Sequence, residues 1–103
     1  MKSPEACENI AEIRAEIDSI DQQVIILLGQ RFAYVKSAAR FKTGETSVRA
    51  PERQATMLQQ RRVWAEQAGL DPDVIEQLYR DLVNYFVNAE LAHYKQTSTE
   101  HTK

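Results

Sequence analysis

Residues 10–42 read IAEIRAEIDSIDQQVIILLGQRFAYVKSAARFK. Taken every third or fourth residue, the line is Ile10, Ile13, Ile17, Ile20, Val24, Leu27, Arg31, Tyr34, Ala38 and Phe41. This 3-4-3-4 spacing predicts one long helix that buries a single seam against other helices. Arg31 is the exception on that seam, a permanent charge where an apolar residue belongs. Taking such a charge out of water costs on the order of several kcal/mol, so Arg31 needs a partner. A helix from Ile10 to about Lys42 would span on the order of 50 Å. A compact chain of this size has a radius of gyration of only ~13 Å. The expectation is therefore that the helix packs on a second chain.

Outward from this stretch the chain stays helical in pattern. Asn9 is placed to cap the first helix, with Glu12 three residues on, close to a capping box. Residues 43–50, Thr-Gly-Glu-Thr-Ser-Val-Arg-Ala, break the period and predict a loop of the kind that closes over a site. Gly44 in this loop suits a helix C-terminus. Pro51 opens a second helix, with Glu52 at the positive end of its dipole. Met57, Leu58, Arg61, Trp64, Ala65 and Ala68 share one face of it, and Gly69 ends it. That face is thin, and the second helix is expected to cover the core without forming it. Asp71-Pro72 restarts the chain as N-cap and first helical residue. The third helix is expected to reach about Gln96, with Ile75, Leu78, Tyr79, Leu82, Val83, Phe86, Glu90 and Tyr94 on its buried face. Glu90 repeats the anomaly of Arg31, an ionisable group on an apolar stripe. The expected fold is all-α, three helices per chain, in one domain over residues 1–97 with a disordered tail at 98–103.

Composition removes several function classes. The net charge of −2 over 103 residues argues against nucleic acid as the main partner, because phosphate binding wants a basic face. No window approaches the ~20 apolar residues of a membrane span, and residues 1–13 contain no apolar run of the secretory kind. Cys7 is the only cysteine, which forbids an intrachain disulfide and fits a reducing cytoplasm. His93 and His101 form no metal-ligand pattern with each other.

The cations carry the chemistry. Arg31 and Lys42 are 11 residues apart, almost a whole number of turns, so they face the same way with Cα atoms ~16 Å apart. Leaning together, they can grip one small anion. Arg14 shares a heptad line with Lys42 but lies ~42 Å away along a straight helix. One chain cannot bring both to one ligand, whereas two antiparallel copies of the helix can. Arg53, in the first turn after the loop, is a fourth candidate. Arg14, Arg31, Lys42 and Arg53 would make a cage for a ligand with two carboxylates, since Arg binds a carboxylate bidentately. The plainer readings stand beside this one. Arg31 can set helix register or pair with Glu90, Lys42 can complement a helix C-terminus, and Arg14 and Arg53 can be solvated charges. On those readings the protein is a non-catalytic helical dimer or adapter.

The order and spacing of several stretches resemble the all-helical chorismate mutase family, most closely its salicylate-forming isochorismate pyruvate lyase branch. They are Pro4-Glu5 with Cys7, Ile13-Arg14 with Ile17-Asp18, Leu28-Gly29 with Arg31, Tyr34-Val35-Lys36, Arg40-Phe41-Lys42, Ala50-Pro51-Glu52-Arg53, Trp64-Ala65-Glu66 and Gly69-Leu70-Asp71. The resemblance implies an intertwined homodimer with two equivalent sites for isochorismate or chorismate. It implies that Arg14 comes from the partner chain and Arg31 and Arg53 from the same chain. It also implies that Lys42 and the residue at position 90 reach the ether oxygen of the bond that breaks. The implied reaction is a pericyclic elimination of pyruvate from isochorismate to give salicylate, as in siderophore-type biosynthesis, with weak chorismate mutase activity beside it. That route requires no cofactor.

Two departures bear on this. Where the mutase branch carries acidic residues that hold the ring hydroxyl of chorismate, this chain has Ala50 and Gln54, which favours lyase over mutase. Glu90 stands where the lyases and many mutases have Gln. A protonated Glu90 can donate a hydrogen bond to the ether oxygen; an ionised one cannot.

Overall fold

The structure is a computed structural model and describes residues 2–41, 44 and 49–101, with side chains through residue 92. Helices account for nearly all of it. A 3₁₀ turn at Pro4–Ala6 leads into α1 (Ile10–Ala38), which tightens into a second 3₁₀ turn at Ala39–Phe41; α2 (Pro51–Gln67) and α3 (Pro72–His101) follow. No strand occurs among the described residues, and the all-α expectation is met. Lys42, the loop residues 43 and 45–48, and the side chain of Tyr94 lie outside the described residues. α3 continues five residues past its expected end at Gln96.

Local sequence explains where each helix begins and ends. The Asn9 Oδ1 accepts the Glu12 N–H at 2.9 Å, as an N-cap does. The reciprocal half of the box closes one residue earlier than expected. The Glu12 carboxylate accepts the N–H of Glu8 at 2.8 Å, and Lys2 Nζ adds an ion pair at 3.0 Å. The Glu8 N–H, and then Lys2, hold the Glu12 carboxyl below its usual value. At the other junction α2 ends in a left-handed turn. Gly69 has φ +77°, its N–H reaches the Glu66 carbonyl at 3.1 Å, and the Leu70 N–H reaches Ala65 at 2.8 Å. This is a Schellman closure, and glycine adopts its left-handed residue without a Cβ clash. Asp71 Oδ1 then accepts the Asp73 N–H at 2.9 Å and starts α3.

The chain divides into two compact units, Met1–Tyr34 and Val35–Lys103. Most of α1 lies in the first. None of its residues is buried, and the predicted seam is open: Ile10 is 59 % exposed, Ile17 49 % and Leu27 59 %. At ~1.5 Å per residue, α1 is about 44 Å long.

In the second unit α2 packs on α3. Met57 and Leu58 from α2 meet Val83 from α3, with Tyr79 and Val87 against them. Ala65, Phe86 and Leu91 are also buried. The expectation that α2 only covers a core is therefore corrected, because α2 supplies two of the three residues at its centre. A narrow apolar strip suffices because the facing stripe on α3 is broad and aromatic. Leu91 was not on the expected face of α3, and Leu78, which was, remains half exposed.

Charge also ties the two helices. Arg62 Nη1 reaches Asp73 Oδ1 at 2.8 Å and Glu76 Oε1 at 3.0 Å, while Arg80 Nη2 reaches Glu76 Oε2 at 2.8 Å. The hydrogen bond from Arg80, then that from Arg62, holds the Glu76 carboxyl below 4.5. A group whose pKa is depressed by folding stabilises the protein above its unfolded pKa. That contribution is lost as pH falls through the folded value. Acidification below about 4.5 is thus expected to lower Tm less in Glu76→Gln than in the wild type, measured by thermal melts from neutral to acid pH. Equal acid losses in both proteins would remove Glu76 from this linkage.

Candidate functional site

Arg14 and Arg31 both project from α1. Arg14, in the second turn, is exposed, and Arg31, seven residues before the helix end, is half-buried, as are Leu28, Phe32 and Val35. Seventeen residues separate the two, about 26 Å of helix axis, so one chain does not bring them together. Arg53 is exposed in the first turn of α2, where Pro51 and the N-terminal end of the helix dipole place it beside Glu52. Glu90 is on α3, one turn past Phe86 and next to Leu91. It is 3 % exposed, the one buried charged side chain among the described residues. Burial of a carboxyl at a stripe position is costly, and it is the feature of α3 that packing alone does not require.

A second polar feature of the α2–α3 unit was not anticipated. The Arg61 guanidinium lies over the Trp64 ring at 4.6 Å and over Tyr79 at 5.6 Å, and its Nη1 donates to Gln60 Oε1 at 2.8 Å. These are cation–π distances. The group lines an open cleft of about 290 Å³ whose other walls are Trp64, Ala65, Ala68, Leu70, Ile75, Leu78 and Tyr79. The i, i+3 spacing of Arg61 and Trp64 was visible in sequence, but their meeting with Tyr79 required the α2–α3 pairing. With one cation and apolar walls, this cleft lacks the paired charges that a dicarboxylate requires.

Among the described residues no group of three or more His, Cys, Asp or Glu could hold a metal ion. Among the described residues no helix is long and apolar enough to cross a membrane.

The model of the chorismate mutase type II family matches residues 13–91, and the chain belongs to that family. The matched span includes Arg14, Arg31, Lys42, Arg53 and Glu90. The chain is similar to the isochorismate pyruvate lyase of Pseudomonas aeruginosa, with 42% identity over 97 residues, covering 94% of this chain and 96% of that protein. It is also similar to the T-protein of Haemophilus influenzae, 39% identical over 74 residues, and to that of Enterobacter agglomerans, 33% identical over 82 residues. Those matches cover 71% and 79% of this chain but only 20% and 22% of the T-proteins.

Proposed function

We propose that this protein is an isochorismate pyruvate lyase, converting isochorismate to salicylate and pyruvate in the cytoplasm, with a weaker chorismate mutase activity. The observation that carries the reading is the 42% identity to the Pseudomonas aeruginosa lyase across nearly the full length of both chains. In the reaction, the ring–oxygen bond of the enolpyruvyl ether breaks. The ring hydrogen moves to the enolpyruvyl methylene, the ether oxygen becomes the pyruvate carbonyl, and the ring becomes aromatic. Every atom comes from the substrate. What the protein contributes is a reactive conformer and charge placed where the oxygen gains electron density.

Arg14, Arg31 and Arg53 hold the two carboxylates in this reading, and Lys42 faces the ether oxygen. Arg14 is supplied by a second copy of the chain. Support for the homodimer comes from α1, about 44 Å long with an apolar seam of which no residue is buried. An isologous two-fold pairing of that seam places Arg14 of one copy far along the helix of the other.

Glu90 donates to the same oxygen when protonated. Glu90→Gln, whose amide keeps a donor of the same length, is accordingly expected to retain turnover, whereas Glu90→Leu, which has none, should lower kcat. The kcat of the two folded variants checks this, and equal kcat in both would show that Glu90 is not the donor.

The direct test supplies isochorismate and chorismate separately to the purified protein, following salicylate by fluorescence and prephenate by its conversion to phenylpyruvate. Faster salicylate formation is the expected result. Prephenate alone would make the chain a mutase, and silence on both substrates would leave a non-catalytic helical dimer.

A further inference from the structure

α2 starts in an unusual way. Its N-cap is Ala50, with φ 42° and ψ 61°, and no side chain caps the helix there. Ala50 is the one non-glycine residue with positive φ among the described residues. It also precedes Pro51, whose ring crowds the residue before it. A left-handed alanine brings its Cβ against the following carbonyl, and such a conformation persists only where neighbouring contacts over-determine it.

Two contacts from Gln54 hold Ala50. The Gln54 backbone N–H donates to the Ala50 carbonyl at 3.0 Å. The Gln54 side-chain Nε2 donates to the Arg49 carbonyl. The Arg49 and Ala50 carbonyls belong to the two peptide planes that flank Ala50, so one residue pins both sides of the strained unit. The backbone bond is available to any residue at position 54. The second needs a side-chain donor of this length. Glutamate has the same shape, but when ionised it only accepts, and it would face the Arg49 carbonyl with a charge of the wrong sign.

We propose that Gln54 is a positioning residue. Its carboxamide clamps the Arg49–Ala50 peptide, sets the angle at which the chain enters α2, and so fixes Arg53, the residue immediately before it. The functional part of this inference rests on the preceding reading, in which Arg53 holds a substrate carboxylate. Because Arg53 binds a group distant from the breaking bond, loss of the clamp weakens ground state and transition state alike and appears in KM.

The experiment compares wild type, Gln54→Glu, Gln54→Leu and the double variant Ala50→Gly/Gln54→Glu in the intact protein. Gln54→Glu is expected to raise KM for isochorismate about tenfold with kcat changed less than about threefold. Gln54→Leu, which neither donates nor repels, should raise it less. Glycine holds positive φ without a clamp, so Ala50→Gly should return most of the KM lost in Gln54→Glu. In parallel, hydrogen–deuterium exchange over residues 49–57, without substrate, should be faster in both single variants. Unchanged exchange in Gln54→Glu and Gln54→Leu would overturn the clamp. Faster exchange with unchanged KM would overturn its link to Arg53, and additive effects of the Ala50 and Gln54 substitutions would overturn the coupling. A wild type inactive on isochorismate would sink the lyase reading and with it the link to Arg53, while the exchange arm would still decide the clamp.

Discussion

Lys42→Ala is expected to turn isochorismate over about 10²–10³-fold more slowly than the wild type, the range seen when a single group stabilising a developing oxyanion is removed. The proposed chemistry has one place where charge grows, the ether oxygen that leaves the ring. The three arginines of the proposed cage hold carboxylates whose charge is the same before and during the reaction. In the proposed site Lys42 is the cation that meets charge existing only in the transition state, and a group of that kind acts on kcat more than on KM. Salicylate fluorescence under single-turnover conditions measures the step directly. A thermal melt of the variant shows that it remains folded. A folded Lys42→Ala protein with kcat within a few-fold of the wild type would remove Lys42 from the mechanism and move the task to Glu90.

Two inactive proteins refolded together should recover about a quarter of wild-type activity if the dimer shares its sites across a two-fold axis. Arg14→Ala removes a charge-assisted carboxylate contact from both sites of its homodimer, and Lys42→Ala disables both sites of its own. Random mixing makes half of all dimers heterodimeric. In each of those, one site carries both substitutions and the other carries neither. The recovery follows from Arg14 and Lys42 of one site belonging to different chains. No recovery after co-refolding, with heterodimer present by mass, would mean that Arg14 acts within its own chain or not at all. The open seam of α1 is the physical motive for this experiment. Its isoleucines and leucines remain exposed in the single chain, and water is an unfavourable environment for a stripe that long.

The helix starts were legible because capping is local. Asn9, Asp71 and Gly69 act on backbone groups two to four residues away, so each can be recognised from its neighbours. The partner of Glu12 was misplaced by one residue for the same reason in reverse. Its carboxylate is flexible, and the pull of Lys2 together with the Glu8 N–H decides which donor it takes. The role of α2 was misjudged because its strip of Met57, Leu58 and Ala65 looks thin alone. Its value depends on Val83, Tyr79 and Val87, which lie more than twenty residues away in sequence for Met57 and Leu58.

The sequence by itself determined that the chain is helical, where its helices start, and that α1 carries an apolar seam. These follow from periodicity and from side-chain chemistry, both of which are local. Only the tertiary structure decided that α2 belongs to the core, that of the two ionisable groups expected at seam positions Glu90 is buried and Arg31 only half-buried, that Arg61 lies across Trp64 and Tyr79, and that Ala50 is held left-handed by Gln54. Burial and strain are set by what the rest of the chain places around a residue, and neither spacing nor residue type encodes that alone.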